Sequence, residues 1–199
     1  TGSLVIVSDA SSHDFSNITV SKGTGTVTLD VNIDKNISTS TINNIIDKFD
    51  VASGSTLTLS NSQFGTHSGI NTGTLKLSDT TLTGTQIKTI NDNSTNAIDL
   101  TNVTTISTST ISQALEIVQN TGSVFTTATN YAVTLSDATI SAANVKLINA
   151  DNGTGTIDIS AATTITSSTI ADVLEIVQNT GSVFTTVTDY VVTISDATI

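Results

Sequence analysis

The chain has two histidines, His13 and His67, far apart in sequence and each set among Ser, Thr and Asp. A catalytic base or a metal pair needs convergent partners in a cleft, and neither histidine sits in a motif that supplies them. Serine and aspartate are plentiful, but a serine nucleophile needs an adjacent base and a sharp positioning turn, and no G-x-S-x-G elbow is present. Lys plus Arg number only 6 and are scattered, so no basic cluster is available to handle acidic sugars. The chain is therefore expected not to be an enzyme, and no catalytic, cofactor-binding or metal-ligating residue is assigned.

The aspartates are more orderly. Asp79, Asp137 and Asp196 occupy one place in a recurring element, and Asp99 and Asp158 one place in another. Carboxylates stacked in register repel unless a cation lies between them, and Ca2+ takes such oxygen ligands. The calcium-loop patterns GGxGxDx and DxDxDG are both missing, so Ca2+ stays a candidate ion and no cofactor is assigned. The competing reading is that Ser-Asp makes a turn or caps the next helix through its side-chain oxygen. Outward Thr-x-Thr ladders favour β structure through branched side chains, and as an ice-binding array their phase shifts between copies. Phe125/Phe184 and Tyr131/Tyr190 fall at equivalent positions, where they either stack on carbohydrate or fill a core corner. Asn17, Asn36, Asn93 and Asn102 lie in N-x-S/T sequons.

These residues are carried by an unusual composition. Thr is the commonest residue, charged residues make up only 12%, and the net charge is −11. That charge argues against nucleic acid and against an anionic membrane surface, both of which select Lys/Arg clusters. No stretch approaches the roughly 18 uninterrupted apolar residues that a span needs, so no membrane insertion is expected. Cys, Met, Trp and Pro are absent, so disulfides and thiolate chemistry play no part. The apolar fraction is 37% and recurs at regular positions, which argues against disorder.

The regularity is a tandem repeat. Ile111–Ile140 reads ISQALEIVQNTGSVFTTATNYAVTLSDATI, and Ile170–Ile199 reads IADVLEIVQNTGSVFTTVTDYVVTISDATI. The segment from Leu77 matches the one from Leu135, and KGTGTVTLD from Lys22 matches NGTGTIDIS from Asn152. Two strand types emerge. One is apolar-x-apolar-Ser-Asp/Asn (56–64, 74–82, 132–140, 191–199); the other ends in a Thr-rich tail (26–33, 97–106, 156–165). Their alternation is period 2, with Val133/Leu135 and Ile157/Ile159 inward and Thr134 and Asp158 outward. Between strands, helices are expected after Thr110 and Thr169, with Gln113 and Asp172 at the third helical position. Their apolar stripes are Ile111/Ala114/Leu115/Val118 and Ile170/Val173/Leu174/Val177. Ile42, Ile45, Ile46 and Phe49 form a similar stripe, and Gln86–Ile90 and Asn144–Ala150 are shorter helical candidates.

The expected fold is mainly β, a parallel β-solenoid of stacked strands with short helices or turns between them. A Thr-rich antiparallel β-sandwich is the alternative. Residues 1–76 read as diverged N-terminal turns and 77–199 as regular repeats with a 58–59-residue period. Each turn buries its inward aliphatics against the turns above and below.

The units LSDATISAANVKLINADNGTGTIDISAATTITSSTIADVL resemble tandem repeats of very large exported bacterial surface proteins, notably cyanobacterial ones. The resemblance covers Leu77–Ile199 well and residues 1–76 loosely. It rests on SDATI and the GT-apolar-D-apolar element rather than on a chemical motif. It implies surface-layer, adhesin or fibre-like material at the cell surface or outside the cell, with no catalytic residues. The expected function is a structural repeat module of an extracellular coat, stalk or self-assembling filament. The alternative is an adhesin-type module contacting Ca2+ or glycans through a Thr/Asp face. The chain stops on an intact strand, VVTISDATI, and starts just before another repeat-like strand, SLVIVSDA. That suggests either a piece of a longer array or copies joining end to end, so copies of itself are the expected partners.

Overall fold

The computed structural model describes residues 4–8, 26–31, 35–36, 46, 48–65, 73–95, 97–167 and 169–195. His13, His67, Asp196, Asn17, Ile42 and Ile45 lie outside the described residues. The strands are β1 (Leu4–Ser8), β2 (Val27–Val31), β3 (Lys35–Asn36), β4 (Lys48–Val51), β5 (Thr56–Leu59), β6 (Thr74–Leu77), β7 (Thr81–Thr83) and β8 (Ile98–Leu100). They continue with β9 (Thr105–Ser109), β10 (Phe125–Thr127), β11 (Ala132–Leu135), β12 (Thr139–Ser141), β13 (Ile157–Ile159), β14 (Thr164–Ser167), β15 (Phe184–Thr186) and β16 (Val191–Ile194). Between them lie the helices α1 (Asn61–Phe64), α2 (Gly84–Asp92), α3 (Ile111–Asn120), α4 (Ala142–Asp151) and α5 (Ile170–Gln178).

The chain forms two units. The first takes Thr1–Asp79, Gln86–Asn102 and Gly122–Thr126; the second takes Thr80–Thr85, Val103–Thr121 and Thr127–Ile199. The first contains a sheet ordered β1-β2-β4 and one ordered β10-β8-β6-β5-β3; the second contains β15-β13-β11-β9-β7 and β12-β14-β16. Every strand pairing with a register among the described residues is parallel. The fold is thus mainly β, parallel sheets with short helices, and the antiparallel sandwich is corrected. The reason is local: helices and corners separate consecutive strands of one sheet, giving the crossover that parallel pairing requires and a hairpin cannot.

Within each unit the period-2 pattern does what the residues dictate. Leu57, Leu59, Leu75 and Leu77 are fully buried, while Thr56, Thr58, Thr74 and Lys76 on the opposite face are half-buried. In the second unit Val133, Leu135, Ile157 and Ile159 are at most 2% exposed. Each such aliphatic contributes about 1.5–3 kcal/mol relative to leaving it in water. Val192 and Ile194, one repeat after Val133 and Leu135, are instead 37% and 41% exposed. The sheet order gives the reason: among the described residues β16 is the end strand of its sheet, paired with β14 alone.

The long strands read from sequence are bent. Residues 74–82, 132–140, 97–106 and 156–165 each form two short strands with a corner between them, and the two lie in different sheets. Residues 56–64 become a strand and then a helical turn, Asn61–Phe64. Phe49, read into a helical stripe with Ile46, lies in β4 and is fully buried. The helices at Thr110 and Thr169 form as expected. Their buried residues are Ala114/Ile117 and Val173/Ile176, whereas Ile111, Leu115 and Val118 are only half-buried. Ile117 and Ile176 were outside the expected stripes. α3 packs on α4 and α4 on α5 as well as on the strands, so the apolar face is wider than one seam.

Stacking and sequence repeat do not share a period. Thr81 lies level with Thr105 and Thr105 with Ala132, so two crossovers carry the chain from Thr81 to Ala132. Val133, Ile157 and Phe184 are level in the same way, and the step from first to last is equally long. One sequence repeat, from Ile111 to Ile170, is longer than either pair of crossovers by about a short strand and a corner. Equivalent segments therefore land in different sheets: β9 and its copy β14, and β11 and its copy β16, belong to separate sheets of the second unit.

Candidate functional site

Among the described residues, no strand pairing sets one repeated aspartate level with another. Asp158 lies level with Thr134 and Thr185, and Asp99 level with Lys76. The mismatch of periods explains this, because residues one repeat apart cannot stack when two crossovers consume less chain than the repeat contains. The four described ones, Asp79, Asp99, Asp137 and Asp158, each have a local task instead. The Ile111 amide donates to Asp137 Oδ2 at 2.6 Å, and the Asn61 amide donates to Asp79 Oδ2 at 2.7 Å. Ser-Asp thus caps a helix earlier in the chain, not the next one. At α3 this carboxylate joins a capping box in which Thr110 Oγ1 accepts from the Gln113 amide and Gln113 Oε1 accepts from the Thr110 amide. Negative charge there also suits the positive end of the helix.

Asp99 and Asp158 hold corners. Asp99 Oδ1 accepts from the Thr101 amide at 2.8 Å, and Asp158 Oδ1 accepts from the Ser160 amide at 2.9 Å. Each is the side-chain-to-backbone bond of an Asx turn. Lys76 Nζ pairs with Asp99 Oδ2 at 2.9 Å. Partial burial alone raises the Asp99 carboxyl, but the hydrogen bonds from Thr101 and Lys76 outweigh it and hold it below its usual value. At the α4–α5 contact Lys146 Nζ reaches Asp172 Oδ1 at 3.1 Å and Glu175 Oε2 at 3.6 Å. The Thr169 hydroxyl and Lys146 lower the Asp172 carboxyl, and Asp172 in turn raises Lys146.

A third polar cluster was not read from sequence. Tyr131 is 2% exposed and its hydroxyl donates to Asp151 Oδ2 at 2.7 Å. Burial and this neighbouring carboxylate push the phenol above its usual value. Beside it, buried Asn152 donates through Nδ2 to the carbonyls of Tyr131 and Gly155. Gly153 has φ 66°, and a Cβ there or at Gly155 would strike the backbone of Thr129 or Tyr131. The GTGT motif is therefore a close backbone approach. Only its repetition hinted at this role, because its partners Thr129 and Tyr131 lie on the far side of α4 in the sequence.

The remaining candidates resolve simply. Phe125 and Phe184 are 1% exposed and fill the core, which removes them from any sugar-stacking surface. Tyr190, the copy of Tyr131, is half-buried. Asn102 Nδ2 donates to the Leu77 carbonyl and Asn93 Nδ2 to the Thr89 carbonyl, while Asn36 sits in β3. Among the described residues no three His, Cys, Asp or Glu come together as a metal site would require. No helix among them is long and apolar enough to cross a membrane. The chain matches no family model, no curated protein and no solved structure.

Proposed function

We propose that the chain is a β-solenoid structural module of an extracellular protein, part of a cell-surface coat, stalk or self-assembling filament whose copies stack end to end. The observation that carries this reading is parallel stacking at near-constant steps along the second unit. One sheet steps from Val133 to Ile157 to Phe184, and the other from Thr139 to Thr164 to Val191. A coil of that kind buries its aliphatics between turns and needs no convergent site. The repeated polar residues support it too, because the aspartates and threonines are spent on caps, corners and strand faces. A sequence repeat longer than a pair of crossovers moves equivalent residues from sheet to sheet. No single face then repeats one ligand contact, which favours a spacer or coat over a periodic adhesive array. Electron microscopy of the chain, with antibody labelling of intact source cells, tests this. Elongated particles and labelling of unbroken cells are expected. Compact particles, or labelling only after lysis, would sink the proposal.

A further inference from the structure

Among the described residues one buried side-chain atom has no hydrogen-bond partner, Asn152 Oδ1. The residue is 0% exposed, and its other polar groups are all engaged. Its backbone amide donates to the Ile148 carbonyl, and its carbonyl accepts from the Tyr131 and Gly155 amides. Nδ2 donates to the carbonyls of the same two residues, Tyr131 at 3.2 Å and Gly155 at 2.8 Å. That fixes which way the side-chain amide points, because turning it over would set Oδ1 against two carbonyls and lose both bonds. Folded proteins nearly always give a buried acceptor a donor. Asn120 and Asn179, at the ends of α3 and α5, are half-buried and send Nδ2 back to their own helices, so the arrangement belongs to α4.

The donors of this corner are committed elsewhere. The Tyr131 hydroxyl donates to Asp151 Oδ2, the Thr121 hydroxyl to the Ile117 carbonyl, and the amide and hydroxyl of Thr154 both donate to Asn130 Oδ1. The donor for Asn152 Oδ1 therefore comes from outside the chain. A hard cation is a poor fit, since it takes about six oxygens or more turned toward it. Here the Tyr131 and Gly155 carbonyls face Nδ2, Asn130 Oδ1 faces Thr154, and Asp151 Oδ2 faces the Tyr131 hydroxyl. A neutral molecule that gives one proton to Oδ1 fits better. Carbonyls of the same corner can take a second proton: that of Thr129 lies against Gly153 and that of Tyr131 against Gly155, and each carbonyl oxygen has two lone pairs.

We infer that Asn152 Oδ1 is the anchor of a buried water-binding site at the end of α4. The bound water donates to Oδ1 and completes the hydrogen bonding of the joint that ties this helix end to Tyr131, 21 residues back along the chain. Buried waters of this kind are integral to a fold and exchange only when it opens locally.

Nuclear magnetic resonance on the whole chain decides the matter. Overhauser cross-peaks between water and the Asn152 side-chain amide protons, with the sign of a water held longer than the protein tumbles, are expected in the parent. Relaxation dispersion of solvent deuterons should show the same long-lived water. Asn152→Leu keeps the side-chain shape without the acceptor and should lower the dispersion amplitude by the share of a single water. Tyr131→Phe leaves Asn152 in place and should match the parent. Should Asn152→Leu fail to fold, the cross-peaks of the parent decide alone. A parent without those cross-peaks overturns the site, and so does an undiminished amplitude in folded Asn152→Leu. Loss of the water in Tyr131→Phe would move it to the Tyr131–Asp151 pair and overturn the assignment to Asn152. A signal that vanishes when sodium and potassium are replaced by tetramethylammonium would mean an ion in place of the water, and overturns it too.

Discussion

Asp137 shows what a single residue does in this protein. Its carboxylate accepts from the first amide of α3, far back along the sequence, so removing it uncaps a helix in the neighbouring layer of the same unit. Asp137→Ala is expected to cost about 1–2 kcal/mol, measured as a lower urea midpoint with an unchanged slope. Asp137→Asn keeps an acceptor and should cost less. Tyr131 offers a pH test. Its folded-state value is raised, so its contribution is complete below the unfolded value of about 10 and is lost as pH rises beyond it. Thermal melts should fall above about pH 10, and Tyr131→Phe should flatten that fall. An equal alkaline loss in the variant would count against the Tyr131–Asp151 bond. The Ser-Asp turn and its capping role were legible from residue types, but the helix it caps was not, since that depends on which layer lies beside it.

Elements in this fold take their value from their neighbours. Leu135 and Ile194 hold equivalent repeat positions, yet one is 1% and the other 41% exposed. A carboxylate placed at the first has no partner in an apolar stack. Leu135→Asp should destabilise the second unit by more than about 4 kcal/mol, while Ile194→Asp should stay within about 1 kcal/mol. Paired denaturation curves check this, and similar losses at both sites would mean that β16 is covered in solution. The strand–helix alternation and both α3 and α5 caps were readable because they depend on spacing within one short stretch of chain. The corners that split each long strand were not, because a Ser-Asp or Asp-x-Ser turn leaves the period-2 pattern on either side intact.

For the molecule as a whole, the mismatch between the sequence repeat and the chain consumed by two crossovers governs what the surface can do. It separates carboxylates that a shared period would have aligned. Calcium is accordingly expected to leave the melting temperature unchanged, and a chelator likewise, in calorimetric scans at millimolar ion. A calcium-dependent rise of several degrees would restore the adhesin-type alternative. Replacing His13 and His67 by Ala together should leave the melt and surface behaviour unaltered, as neither belongs to any recognisable motif.

Sequence alone determined the mainly β character, the buried aliphatic positions of the interior strands, the helix starts at Thr110 and Thr169, and the tandem period. All of these follow from chemistry within one element: side-chain alternation, capping and self-similarity. Tertiary structure alone decided between parallel pairing and the sandwich, placed equivalent strands in different sheets, and gave Asp137 to α3. Those outcomes depend on how much chain one crossover consumes. That length is set by the corners and helices packed between strands, and no local pattern encodes it.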